Sequence, residues 1–511
     1  MFGPFPSTLD NLFQKTLIAA RSAWDAARTG PTYGVGMSAY LTDFLNPFLI
    51  SLGSFLSVER DKAVRRPPWE TARDYLELLR FNLQIAEKGY LSSLDHMGRF
   101  YGEECIRQVS AWLHTLFGRP GEGLPEFLVR HAQVLDQVVY EYPAAIRAIK
   151  SEYGLHPENG GFPVAAETDR FILYQVLPTE PGVEVNPSGK PIIIIPPYVL
   201  GPNILCFLPG ERKSYVHAYA NQGLPTYIRV MKDIAECEAV QVITGEDDAL
   251  DTAYFCRLVK ERHGRPVTLN GFCQGGFITL LDLLTGELDG LVDALITCVA
   301  PMDGSRSLDL VEYLRHLPPR FRDLGYAVKT ARSGRRIVDG KVMSWVYKLK
   351  SMEKEAPLVT FFRDLMLFQA RDGQARLEIG KTAAALNHWL IYDRTDLPEE
   401  ITKLSFASYT VPIAPDGTLP VKLFGRALNL KALAGKGLRW LICLAEKDDL
   451  VDAASALAPL DWVPAEVTVF PKGHGAIATS WSHPESKCAL QTRFGRYRGP
   501  VRFQLDLQAE R

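Results

Sequence analysis

The stretch Gly271-Phe272-Cys273-Gln274-Gly275-Gly276 constrains this chain more than any other. Pro266 to Asn270, just before it, has the composition of a short strand, and Phe277 to Leu284, just after it, starts an apolar helix. A strand that turns sharply into a helix through a glycine-flanked residue is a nucleophile elbow. The residue at the tip takes a strained backbone, and small residues around it (Gly271, Gly275, Gly276) let strand and helix pass closely. The tip residue here is Cys273. A thiol in that position points to acyl transfer onto sulfur rather than oxygen.

An elbow needs a sheet, and the sequence supplies one. Arg170 to Pro178 is a strand candidate, and Pro191-Ile-Ile-Ile-Ile-Pro-Pro197 reads as a fully buried strand ending at a turn. Thr226 to Val230, Ala294 to Ala300, Arg439 to Ala445 and Glu466 to Phe470 are further strands, with Ala239 to Thr244 as an ambiguous one. Ser214 to Gln222 and Asp251 to His263 fit helices between them. Continuous apolar runs alternating with helices imply a mostly parallel sheet covered on both faces.

The chain has 511 residues, too many for one core. Residues 1–165 carry few strand signals and read as a helical N-terminal region, with helical spacing in Trp69 to Glu87 and Glu126 to Ser151. Residues 166–302 form the first part of an α/β core and 435–511 the second part. Residues 303–434 interrupt the strand–helix rhythm with helical, aromatic stretches, among them Trp345, Tyr347, Phe361, Phe362 and Phe368. An insertion between two strands is expected to form a mobile cap over the C-terminal edge of the sheet, where ligands bind.

A net charge of −2 gives no sign of nucleic-acid binding, and none is expected. The eight cysteines show no metal-ligand spacing and read as reduced thiols, which with the absence of a basic-then-apolar leader suggests a cytoplasmic protein. The apolar run Tyr40 to Val58 has roughly the length of a membrane span but is broken by Asp43, Asn46, Pro47 and Gly53, so burial or contact with an apolar surface is expected.

A nucleophilic cysteine needs a base, and the base an orienting acid. In α/β-hydrolases the chain order is nucleophile, acid, histidine. Arg439 to Ala445 runs straight into Glu446-Lys447-Asp448-Asp449, and Val467 to Phe470 is soon followed by Gly473-His474-Gly475. The separation, 474 − 448 = 26 residues, leaves room for a helix and a strand. Asp448 is therefore the candidate acid and His474 the candidate base. Asp449 could instead cap the next helix, and Asp303, in Ala300-Pro-Met-Asp-Gly304, is the rival acid. His96, His114 and His131 fall in helical stretches, while His217, His388 and His483 lack the strand-end context. An oxyanion hole requires two backbone N–H donors, expected from Gln274 and from Tyr198 or Val199 in the loop after the isoleucine strand.

Together these residues resemble the polyhydroxyalkanoate synthases, α/β-hydrolase-fold polymerases with a Gly-x-Cys-x-Gly-Gly box. Gly271 to Gly276 matches the box, Ile195-Pro-Pro-Tyr-Val199 resembles the family's strand-Pro-Pro-aromatic loop, and Tyr219-Ala-Asn-Gln-Gly223 resembles a helix end. Asp448-Asp-Leu-Val451 and Gly473-His474 resemble the catalytic acid and histidine segments. The likeness spans about residues 165 to 485. Two departures stand out. The family's Ser-Trp-Arg-Asn-like segment appears as Ile228-Arg-Val-Met-Lys232, without its Trp, and Gly475 stands where the synthases usually carry Ile.

The resemblance implies transfer of a 3-hydroxyacyl group from coenzyme A to Cys273 and its polymerisation. Coenzyme A thioester would be the substrate, with no cofactor and no metal, and a polyester chain or granule surface would be the partner. A homodimer is left open. Intracellular polyhydroxybutyrate depolymerases share the Cys-Asp-His logic, so a depolymerase or thioesterase is the alternative. A non-catalytic protein binding granule or membrane surfaces through Tyr40–Val58 is the third reading.

Overall fold

The computed structural model describes residues 66–308, 327–344, 356–369, 378–479 and 482–486, together with 27–42, 311 and scattered positions between 17 and 56. The chain forms two compact units, Met1–Ala148 with Ser344–Ala384, and Ile149–Met343 with Ala385–Arg511.

The second unit holds the sheet. Its strands in chain order are β1 Val164–Glu167, β2 Phe171–Val176, β3 Ile192–Ile195, β4 Thr226–Met231, β5 Val267–Phe272 and β6 Val292–Cys298. The short strands β7 Val328–Thr330, β8 Arg336–Val338 and β9 Leu397–Pro398 and the hairpin β10 Thr418–Leu423 with β11 Arg426–Asn429 come next. β12 Arg439–Ala445 and β13 Glu466–Phe470 complete the set. The main sheet has the order β1-β2-β4-β3-β5-β6-β12-β13. β1 and β2 are antiparallel, and every pairing from β4 to β13 is parallel. This strand order, with an elbow leaving β5, is that of the α/β-hydrolase fold.

Burial explains the apolar runs. Every residue of β3 and β5 is buried, as central parallel strands covered on both faces require. Helices of this unit include α1 Tyr215–Ala220, α2 Gly245–His263 and α3 Gln274–Thr285. All twelve residues of α3 are buried, so the helix after the elbow is enclosed on every side.

Ala239–Thr244 is not a strand. Glu238–Gln241 makes a helical turn. Thr244 then begins α2 through a capping box, its side chain accepting from Asp247 N while the Asp247 carboxylate accepts from Thr244 N. The cap outweighs the β-branched composition of this segment.

The 303–434 insertion falls in two parts. Residues 303–343 and 385–434 belong with the sheet, including both small sheets, while 344–384 belong with the N-terminal helices. Trp345 and Tyr347 lie outside the described residues.

In the first unit the helical spacing seen from Trp69 to Glu87 continues through one 50-residue helix, Pro68–Phe117. Helix Pro357–Phe368 packs on it. Their contact is aromatic: the Phe100 and Phe362 rings lie 5.7 Å apart, and Tyr33 meets Phe361 at 5.5 Å. Phe361, Phe362 and Phe368 are therefore core residues of this unit. The described positions of Tyr40–Val58 are helical, with Leu41, Leu45, Leu49 and Leu56 exposed; the other positions lie outside the described residues. Among the described residues no helix is long and apolar enough to cross a membrane.

Candidate active site

Cys273 joins β5 to α3 with φ 53° and ψ −123°, a left-handed conformation that costs a side-chain-bearing residue about 1–3 kcal/mol. Surrounding close contacts hold it there. A Cβ on Gly271 would lie 2.4 Å from the Gly276 Cα, and one on Gly275 would lie 2.3 Å from the Ile195 carbonyl oxygen. Gly276 has the same constraint, its Cβ position being 2.6 Å from the Ala300 Cβ. The Cys273 N–H donates to the Cys298 carbonyl at 2.8 Å, and the Gly276 N–H closes back on the Cys273 carbonyl at 2.9 Å. The thiol thus sits at the N-terminus of α3, where free N–H groups favour negative charge.

Sheet pairing closes the 26-residue gap between acid and histidine. β12 and β13 pair in register up to Ala445 opposite Phe470, and Glu446 N–H still donates to the Phe470 carbonyl at 2.7 Å. The two loops then leave the sheet side by side. His474 Nδ1 and Asp448 Oδ2 are 2.8 Å apart. The other carboxylate oxygen of Asp448 accepts from the N–H groups of Leu450 and Val451 at 2.9 and 3.0 Å. Asp448 is buried and its orientation is fixed.

His474 Nε2 has no hydrogen-bond partner among the described residues. Its ring packs edge-on against Phe272, with centroids 6.1 Å apart. Burial alone would lower the His474 pKa, but the neighbouring Cys273 sulfur and then the Asp448 carboxylate outweigh it and push it up to about 10. The stabilisation of the imidazolium is fully present below the ordinary value of 6.5 and is lost as pH rises through about 10. In Cys273→Ala one of the raising groups is gone, so His474 should titrate at lower pH than in the parent protein. An NMR titration of the His474 ring checks this, and an unchanged midpoint would put the sulfur out of reach of the ring.

The rival positions serve other purposes. Asp303 is buried and accepts from Ser305 N at 3.2 Å, Arg306 Nε at 3.3 Å and Ile413 N at 3.2 Å. It holds a turn and a neighbouring segment together. Asp449 is exposed, and the short helix Ala453–Ala456 is preceded by Asp452 rather than capped by Asp449. Buried His217 pairs with Ser214 Oγ at 2.7 Å, and burial lowers its pKa to about 4. Buried His388 stacks with Tyr153 and Tyr392, and His131 pairs with Glu104 at 2.9 Å. Among the described residues no group of three His, Cys, Asp or Glu is placed to hold a metal ion, and the seven described cysteines are free thiols. Cys488 lies outside the described residues.

The expected oxyanion donors come together, but the Val199 N–H is in use. It donates to the Gln274 side-chain oxygen at 3.2 Å. Tyr198 points the other way, its hydroxyl donating to Asp248 on α2. Asp248 also accepts from Arg229 of β4 at 2.8 and 3.1 Å, and Arg229 donates to Thr252 Oγ1 at 2.6 Å. Burial and the adjacent Asp282 carboxyl raise the Asp248 pKa, while burial pushes Asp282 to about 6. This buried group ties the loop after β3 to α2 and was not foreseen from the sequence. Its signals are a lone arginine inside an apolar strand, Thr226–Met231, and a lone aspartate, Asp282, inside the apolar helix α3.

No protein-family model matches the chain, and no curated protein matches it in sequence. Solved structures to which it is similar include carboxylesterases of the ammonia-oxidizing Thaumarchaeon Nitrososphaera gargenis, at 14% identity over 62% of this chain and 91% of that chain, with a TM-score of 0.34. An esterase from Rhodococcus sp. ECU1013 is 14% identical over 68% of this chain and 99% of that chain, with a TM-score of 0.33. A thioesterase domain from the curacin biosynthetic pathway is 10% identical over 62% of this chain and 94% of that chain, with a TM-score of 0.33. The fold assignment rests on the strand order and the elbow.

Proposed function

We propose that the chain is an acyltransferase that takes 3-hydroxyacyl groups from coenzyme A onto Cys273 and joins them into a polyester. The observation that carries this reading is a thiol at a strained elbow, with an Asp448-oriented His474 beside it. His474 Nε2 takes the thiol proton, and the sulfur attacks the thioester carbonyl. The tetrahedral intermediate expels the coenzyme A thiolate, which recovers the proton from His474. Asp448 keeps the Nδ1 proton in place and stabilises the imidazolium. The hydroxyl of a second hydroxyacyl unit, deprotonated by His474, then attacks the Cys273 thioester and releases the thiol.

Sulfur suits this chemistry because thioester exchange with coenzyme A is close to isoenergetic, so the acyl group stays activated. The Gln274 N–H and the Val199 N–H are the proposed oxyanion donors, the latter once the Gln274 side chain yields it. Cys273 is only 5% exposed, which supports transfer over hydrolysis, since water must be kept from the acyl thioester. Residues 303–343 and 385–434, which belong to the sheet-containing unit, are the proposed cap, and a granule surface is the proposed cellular partner.

The test is intact mass after incubation with 3-hydroxybutyryl-CoA. One hydroxyacyl adduct on Cys273, with polymer accumulating, is the expected result. Coenzyme A release with free acid and no polymer would assign hydrolysis instead, and no adduct at all would sink the catalytic reading.

A further inference from the structure

The N–H that the loop after β3 would offer to an oxyanion is already taken. The Gln274 side-chain oxygen accepts from the Val199 N–H at 3.2 Å. Gln274 is the residue directly after the nucleophile, and both residues belong to the sheet-containing unit. A main-chain N–H can only donate, so the amide presents its oxygen there, as a substrate carbonyl would. Among the described residues the Gln274 side chain makes no second hydrogen bond.

For the donor to become free, either the loop or the side chain must move. The loop is held from several sides. Tyr198 is buried, and its hydroxyl donates to Asp248, which also accepts from Arg229 at 2.8 and 3.1 Å. The Ile195 and Pro196 carbonyl oxygens press on α3, lying 2.3 and 2.8 Å from where a Cβ on Gly275 would stand. The Gly201 N–H closes a turn on the Pro197 carbonyl at 3.0 Å, and Pro196 and Pro197 stiffen the backbone that leads into it. The Gln274 side chain, in contrast, is held by a single bond and turns about flexible torsions.

We propose that the Gln274 side chain is a displaceable occupant of the oxyanion hole, whose place on the Val199 N–H the carbonyl oxygen of an arriving acyl donor must take. The proposal rests on the acyl-transfer reading above and adds how the hole is kept filled until a donor arrives. In the resting enzyme the amide oxygen satisfies an N–H that would otherwise lack an acceptor. Displacement exchanges one oxygen acceptor for another, so the loop need not rearrange. What the occupant imposes is a competition. Only molecules with the side chain swung away can receive a carbonyl oxygen, and the apparent affinity for every acyl donor falls by that fraction. One hydrogen bond of ordinary strength corresponds to a factor of about three to ten.

Acylation of Cys273 by p-nitrophenyl butyrate, read as the burst of p-nitrophenolate, tests the occupant with a donor that carries no coenzyme A. Alkylation of Cys273 by iodoacetamide, read by peptide mass, needs the thiolate but no oxyanion donor and gives the reference rate for each protein. In full-length Gln274→Ala the ratio of acylation to alkylation is expected to rise about three- to tenfold over the parent, at donor concentrations below saturation. Gln274→Met keeps the side-chain volume but offers no amide oxygen, and should move the ratio the same way if alanine loosens the elbow. An equal or lower ratio in both variants overturns the proposal, as does the absence of a burst from all three proteins. A fall of about a hundredfold or more would make the side chain itself a donor to the oxyanion. Acylation of the parent by 3-hydroxybutyryl-CoA reports on the acyl-transfer reading alone, so the two can fail separately.

Discussion

Replacing Cys273 by alanine is expected to cut turnover by on the order of 10⁴-fold or more while leaving the fold intact. Alanine keeps the Cβ, so the elbow retains its φ of 53° and its close passage between Gly271 and Gly276. What is lost is one buried sulfur, a packing loss of about 1 kcal/mol. No neighbouring thiol can substitute. Cys298 and Cys443 are fully buried on β6 and β12, and the Cys298 sulfur sits 3.1 Å from the Tyr215 hydroxyl. Cys273→Ser should retain weak activity, because His474 can serve a hydroxyl in the same place, but sulfur's nucleophilicity is gone. Coenzyme A release, read beside a thermal melt, checks both halves. Turnover within tenfold of the parent in the alanine variant would move the nucleophile elsewhere.

The sequence made the core strands legible because they are largely apolar, Ile192–Ile195 without interruption. Arg439–Ala445 and Glu466–Phe470 have the bounds their composition suggested. The elbow was legible for a different reason: close backbone approach leaves glycine as its trace, and Gly271 and Gly275 stand where a Cβ would strike backbone atoms. The β10–β11 hairpin left no such trace. Its turn, Phe424-Gly425, has φ of 51° and 68°, which favours glycine or asparagine at both places, yet a phenylalanine occupies one. The helix Pro68–Phe117 was visible only in its first half, because exposed apolar residues occur along its whole length, Trp69, Leu76 and Leu83 as well as Ile106, Trp112 and Phe117, and blur any single core-facing stripe.

In the candidate site, Asp448 and His474 could be placed because both follow a strand directly. Side-chain pairings across the fold could not. That the Gln274 amide takes the Val199 N–H, and that Arg229 meets Asp248 from another element, depend on distances no local pattern encodes.

Asp448→Asn and Asp303→Asn should separate chemistry from stability. At position 448 the asparagine oxygen can still accept from Leu450 and Val451, so the loop after β12 stays in place. The amide nitrogen then faces His474 Nδ1 and donates to it, which puts the ring proton on Nε2. That tautomer cannot take a proton from Cys273, and the imidazolium loses the carboxylate that helps to raise its pKa. A fall in kcat of about 10⁴-fold with little change in melting is expected. At position 303 the balance reverses. Both oxygens accept from protein donors, and an amide would turn one acceptor into a donor facing either Ser305 N or the Arg306 and Ile413 N–H groups. In a buried site that costs about 1–3 kcal/mol, seen as a lower melting temperature with kcat of the folded enzyme preserved. Should Asp303→Asn abolish turnover in folded protein while Asp448→Asn remains active, the acid would belong to the end of β6, and the pairing of His474 with Asp448 would be structural.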